Sequence, residues 1–279
     1  MSLSVFLVVL AAAAIHATWN AILRSAGNAL MTTIMVAGLS GLLSLLALPF
    51  FPPPDAAAFP WLAASTVVQV GYYLLLANAY RTGDMSRTYP IMRGTAPLIV
   101  VLVSTLWLGE VIGIAGWIGV ALVSAGILSL LFAPMAGNRL GTTATAFALG
   151  NGVAIATYTL IDGVGVRVAG SLSYVLWLFV LTGGVLVAWA LVVRRNDFIA
   201  AARKSLPRAS AAGLGNLVAY ALVLWAMTQA PIPLVAALRE TSILFGTAIA
   251  ALIFREPVGP GRVLAVVVIA AGAIVLRLA

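Results

Sequence analysis

The residues of this chain best equipped for chemistry are the few charges lodged inside apolar sequence. Arg93 stands about five residues into one apolar run, roughly 8 Å from its start at 1.5 Å per residue. Arg239 stands at a similar depth in another run, entered from the opposite face. A guanidinium in such a place either snorkels to the interface on its long stem, or turns inward and holds an anionic group such as a substrate carboxylate. Glu240 follows Arg239 directly and points about 100° away around the helix, so the two need not pair. Asp162 or a substrate amine are its expected partners. Acids inside a membrane span are functional candidates by default.

His16 has Trp19 and Asn20 at i+3 and i+4, so the three share a helix face that should turn inward. Its role is either an interhelical hydrogen bond or substrate contact and proton relay. Asn151, Tyr158 and Asp162 form a second such face; Asp162 either joins it or caps the GVGVR turn at the outer end. Gln69 and Tyr73 share a third face, and Asn216 and Tyr220 a fourth. Faces of this kind suit a cavity that stacks apolar parts of a ligand and hydrogen-bonds its polar ones. Glu110 and Glu256 close their runs and read as caps on the next helix or partners of a loop arginine. None of these residues is read as catalytic.

The elements that must position these side chains follow from composition. Of 279 residues, 63% are hydrophobic and 8% charged, against about 25% charged in a soluble domain, so the solvent must be a lipid bilayer. Ten runs are long enough to span it: Leu3–Leu23, Leu30–Pro49, Pro60–Tyr80, Thr88–Leu108, Val111–Phe132, Thr142–Ile161, Leu172–Val193, Pro207–Thr228, Pro233–Phe254 and Gly259–Leu276. The turns between them are short, as at FPPPD (51–55), RTGD (81–84), APMAGN (133–138) and APIP (230–233). Arg24, Arg81, Arg87, Arg139, Arg194, Arg195, Arg203, Lys204, Arg208, Arg255 and Arg262 fall in or beside the loops of one face. The opposite face has only Arg167 and Arg277, so both termini are expected outside and the crowded face in the cytoplasm of an inner (plasma) membrane protein. The formal charge of +8 is therefore a topology signal, and nucleic acid is not an expected partner. With no cysteine and a single histidine, disulfides, thiolate metal sites, and zinc or haem centres are not expected, and no cofactor is.

The chain also aligns with itself at an offset of 146 residues, the distance from Arg93 to Arg239. Thr95 then falls on Thr241, Glu110 on Glu256, Gly113 on Gly259, and Ala125-Gly126 on Ala271-Gly272. More loosely, HATWNAILRSAG (16–27) falls on IATYTLIDGVGVRVAG (155–170). Two halves of five helices follow, 1–134 and 140–279. Five is odd, so the second half must cross the membrane in the reverse sense. That is the inverted repeat of many secondary transporters.

Ten helices in two halves, with LGE (108–110) and REP (255–257) after the fourth helix of each and glycine-bearing helices behind them, resemble the EamA-type exporters of the drug/metabolite transporter superfamily. The resemblance covers nearly the whole chain. It implies an all-α membrane fold of two inverted five-helix repeats around a central cavity. It further implies alternating access for small metabolites, foremost neutral or aromatic amino acids, as an exporter. Relatives moving other metabolites or drug-like cations share the frame. His16, Asp162 and Glu240 make protons a candidate coupling partner, and both monomer and homodimer stay open. An intramembrane lipid-modifying enzyme is the competing class, but the chain has no DDxxD, HExxH or Gly-x-Ser-x-Gly run, and no Walker motif that would let ATP power it directly.

Overall fold

In hydrocarbon every backbone N–H and C=O must find its partner within the protein, so each apolar run closes into a helix. The structure, a computed structural model, describes residues 1–23, 29–132, 141–170 and 172–279. Arg24, Arg139, the APMAGN turn and the boundary between the halves lie outside the described residues. The described helices are α1 (Leu3–Leu23), α2 (Ala29–Ala47), α3 (Phe59–Thr82), α4 (Met85–Leu106), α5 (Ile114–Ser129), α6 (Thr142–Ala169), α7 (Ser173–Val193), α8 (Arg195–Gln229), α9 (Ile232–Arg239), α10 (Ser242–Leu252) and α11 (Pro260–Leu278). Because α9 and α10 share one span, ten stretches among the described residues are long and apolar enough to cross a membrane.

Three elements depart from the sequence expectation. α6 does not stop at Ile161 but runs to Ala169, where Gly170 adopts a left-handed φ of 59° and closes it. The GVGVR segment is thus helical, and Asp162 caps no turn. Its glycines admit close neighbours: a Cβ on Gly163 would meet Ile232, and one on Gly165 would meet Tyr174. The polar stretch from Arg195 joins α8, with Pro207 inside the helix. The ninth run is interrupted at Glu240 and Thr241, whose amides bond to Ala237 and Leu238 three residues back. Such a local tightening to 3₁₀ geometry inside a helix often marks a hinge or a functional site.

The repeat is built into the backbone. α4 ends at Leu106 and α10 at Leu252; α5 begins at Ile114 and α11 at Pro260. Gly109 and Arg255, equivalent at the offset of 146, both hold left-handed φ, 66° and 54°. Each places the next amide on a helix carbonyl: Glu110 N donates to Ser104 O, and Glu256 N to Ala250 O. The same cap therefore serves both halves, although Arg255 pays a steric cost there that a glycine avoids.

Packing between the halves obeys the same relation. α2 packs on α7 and α5 on α11, each helix against its own counterpart. α3 lies along α6, as α8 lies along α1. This exchange of partners is what a pseudo-two-fold axis requires. With five spans per half, the halves are inverted repeats. Between apolar helices in lipid, close contact replaces the hydrophobic drive, so small residues sit at the seams. A Cβ on Gly183 of α7 would lie 2.4 Å from the Ala37 carbonyl of α2. One on Gly272 of α11 would lie 2.8 Å from Val123 of α5. The small residues of the fifth and tenth spans are thus used within the chain.

Candidate substrate site

The charges inside the apolar spans gather on either side of the seam between the halves. Met85 begins α4, which puts Arg93 about 12 Å along the helix, deeper than the sequence runs imply. Arg93 is 8% exposed, Arg239 6% and Glu240 1%. Both arginines therefore face protein rather than snorkel. Arg93 Nε stands 2.7 Å from Glu240 Oε2, and its Nη2 donates to Ser242 Oγ at 3.3 Å. Glu240 thus pairs with the arginine of the other half, where a partner in Asp162 or a substrate amine was expected. The 3₁₀ tightening swings its carboxylate across the seam. Arg239 Nη2 approaches Glu240 Oε1 only to 3.6 Å. Arg239 Nε has no hydrogen-bond partner among the described residues.

Aromatic and imidazole groups complete this cluster. His16 of α1 is an electrostatic neighbour of both arginines, as is Tyr158 of α6. Tyr89 lies under the Arg93 guanidinium, 5.8 Å from ring centroid to cation. Tyr72 stacks edge-on against Tyr158 at 5.9 Å and against Tyr73 at 5.2 Å. Such rings offer apolar surface beside charge.

Asp162 anchors a second, adjoining cluster. It is fully buried and accepts from Tyr220 Oη at 2.5 Å, Tyr174 Oη at 2.9 Å and Gln69 Nε2 at 3.2 Å. Four helices thereby converge on one carboxylate: α3, α6, α7 and α8. Tyr158 is an electrostatic neighbour of Tyr220 and Arg239 and so links the two clusters. Of the sequence-derived candidates, His16, Arg93, Tyr158, Arg239 and Glu240 meet in the first cluster, and Gln69, Asp162 and Tyr220 in the second.

Four candidates fall elsewhere. Trp19 packs in the seam of α1 with α2 and α8, close to Gly215. Asn20 is exposed and donates to the His16 carbonyl of its own helix at 2.8 Å. That bond satisfies it locally, so the His16–Trp19–Asn20 face does not turn inward as a unit. Asn216 donates to Ser40 Oγ at 3.2 Å, and Ser40 in turn to the Gly213 carbonyl, which ties α8 to α2. Tyr73 borders an apolar crevice of about 120 Å³ with Ile34, Val70 and Trp189. A second apolar groove, about 220 Å³, lies between α1 and α10. Neither includes an arginine. Among the described residues no group of three or more His, Cys, Asp or Glu could hold a metal ion.

Sequence reasoning missed Tyr174 and Ser242, ordinary residues of apolar helices until the fold brings them to a charge. Of the two expectations for Glu110, a cap on the next helix or a partner of a loop arginine, the pairing with an arginine is what forms, and the cap falls on a different helix. Glu110 Oε1 binds Arg167 Nη1 at 2.5 Å, while Oε2 accepts from the Ile232 amide at 2.7 Å. Arg167 also donates to the carbonyls of Met227 and Ala230 at 2.7 and 3.0 Å. So Glu110 caps α9 of the other half, not the helix that follows it, and with Arg167 clasps the ends of α4, α6, α8 and α9. The chain ends lie on this same face, where Arg277 donates to the Met1 carbonyl.

Comparison with known proteins agrees with this architecture. The sequence model of the EamA-like transporter family, part of the drug/metabolite transporter superfamily, matches residues 3–132 and again 142–278. "Uncharacterized protein y4nH" of Sinorhizobium fredii (strain NBRC 101917 / NGR234) is 35% identical over 83 residues, 28% of this chain and 71% of that protein. A solved crystal structure of a protein 17% identical superposes with a TM-score of 0.82 over 100% of this chain and 98% of its own, a likeness of fold.

Proposed function

The chain belongs to the EamA-like transporter family, a family of small-molecule transporters, and from that premise we propose that it carries amino acids across the inner membrane by alternating access. The proposal includes outward movement of neutral or aromatic amino acids, termini outside, and halves dividing near residues 134–140. The observation that carries it is the meeting of repeat-related Arg93 and Arg239 at one buried carboxylate, Glu240. A two-fold relation lets one fold adopt two nearly equivalent states, each open to one side. Charge at the crossing of the halves gives a substrate the means to bias them. A zwitterion suits a site with arginines on one side and Asp162 on the other. The excess of arginine in the first cluster disfavours a drug-like cation.

The Glu110–Arg167 clasp is the contact that must part for the face carrying the chain ends to open. His16, Asp162 and Glu240 supply groups that could exchange protons with a gradient. Reconstitution in liposomes tests the reading. Internal unlabelled amino acid should draw in labelled amino acid by counterflow, and the flux should saturate. Unsaturable flux would point to a channel, and no flux for any amino acid would sink the substrate class. Uptake driven by an imposed pH gradient supports proton coupling, whereas indifference to it leaves facilitated diffusion.

A further inference from the structure

The two-fold relation between the halves is broken at Glu240, and the break leaves a charge short of partners. Arg93 and Arg239 are equivalent at the offset of 146. Arg93 is supplied by the other half: Glu240 gives a carboxylate at 2.7 Å and Ser242 a hydroxyl at 3.3 Å. The residues that should supply Arg239 in the same way are the equivalents of Glu240 and Ser242, which are Gly94 and Ala96. Neither has a polar side chain. Nor is Gly94 free to change, since a Cβ there would lie 2.7 Å from Leu128 of α5.

Arg239 is accordingly left with one ion contact, the far oxygen of Glu240 at 3.6 Å, beside the rings of Tyr158 and Tyr220; its Nε, like that of Arg93, makes no hydrogen bond among the described residues, and the residue is 6% exposed. Buried guanidinium groups are normally paired and hydrogen-bonded, because desolvation costs several kcal/mol per ion. The cluster of two arginines and one glutamate carries one positive charge too many. An incoming group with one negative charge would balance it.

The geometry points to Arg239 as the site for a substrate carboxylate, bound where the symmetry-equivalent acid is missing. A carboxylate matches the planar fork of a guanidinium with two parallel hydrogen bonds, and its single charge closes the balance. A phosphate dianion would overshoot it. Glu240 then acts as the fixed counter-ion that keeps Arg93 occupied and directs the substrate to Arg239. This assignment rests on the carrier reading and names the chemistry its substrate must present.

The test is binding to the purified full-length chain, read as melting temperature, since a ligand specific for the folded state raises it. The probes are L-phenylalanine and L-leucine, their carboxamides, benzoate, and inorganic phosphate, all at equal ionic strength. One or more of the free acids should raise the melting temperature, and the matching amides should not. Arg239→Gln should abolish the rise, Arg239→Lys should weaken it, and Arg277→Gln should leave it intact. A rise with phosphate alone, an equal rise with acid and amide, a rise that survives Arg239→Gln, or no rise with any probe would overturn the assignment. Acid binding without counterflow would sink the carrier reading and spare this one. Counterflow of amino acids that survives Arg239→Gln would do the reverse.

Discussion

Arg93 Nε lies 2.7 Å from Glu240 Oε2, and this single ion pair joins α4 of one half to the break between α9 and α10 of the other. Both groups are more than nine-tenths buried. Removing one partner of such a pair strands the other, which typically costs about 3–5 kcal/mol. Glu240→Gln should therefore lower the melting temperature strongly, because two arginines then face each other across the seam. The double variant Arg93→Leu/Glu240→Leu should lose much less than the sum of the single changes. A double-mutant cycle on thermal unfolding measures this, and additive losses would mean that the pair is not coupled.

Arg239 differs from its equivalent in making little of its charge within the protein. A charge-assisted hydrogen bond to a ligand contributes about 1.5–3 kcal/mol, or roughly ten- to a hundred-fold in affinity. Arg239→Ala should reduce amino-acid counterflow by about that factor. Arg277→Ala, at equal expression, should not. Equal activity in the two variants would remove Arg239 from the transport pathway.

The clasp should matter more for access than for stability. Arg167 is 37% exposed, so its ion pair with Glu110 contributes at most about 1 kcal/mol. Glu110→Gln should barely shift the melting temperature. It should, however, speed the labelling of Met227→Cys, a position fully buried at the clasp, by a water-soluble maleimide. The natural chain has no cysteine, so the label reports this position alone. An unchanged labelling rate would mean that the face is closed by other contacts.

Neighbouring glycines of α7 should respond oppositely to the same change. A Cβ on Gly183 would lie 2.4 Å from the Ala37 carbonyl, backbone that cannot step aside, whereas Gly184 has nothing within 4 Å. Gly183→Ala should destabilise by about 1–3 kcal/mol as α2 and α7 are forced apart. Gly184→Ala should be neutral or slightly stabilising. Thermal unfolding of the two variants in the same detergent separates them.

The spans, the repeat and the special status of Arg93 and Arg239 were legible because each is written in short-range pattern: length of apolar run, offset, and charge out of place. What joins these pieces was not. The run from Pro233 to Phe254 is apolar apart from the RETS stretch at 239–242, Gly246 and Thr247, and a short polar stretch of that kind does not by itself specify the tightening at Glu240–Thr241. At that break Glu240 meets Arg93 of the other half, a partner 147 positions away that local pattern does not reveal. Tyr174 reads as one aromatic among many in α7 until Asp162 lies 2.9 Å from its hydroxyl. Asp162 has two readings in the sequence, joining the Asn151–Tyr158 face or capping the GVGVR turn, and only the extension of α6 to Ala169 decides between them. The inward turn expected of Asn20 is not written in its type, because a polar side chain in a helix can bond the carbonyl four residues back, as it does here.

The central claim is that two inverted halves rock about this cluster, opening one face as they close the other. Electron spin resonance distances between paired labels measure it most directly. One pair, Leu108→Cys with Gln229→Cys, spans the clasp; the other, Gly83→Cys with Phe254→Cys, spans the opposite face. In lipid, Glu110→Gln should lengthen the first distance and shorten the second. Distances that stay fixed, or that lengthen together, would contradict the account.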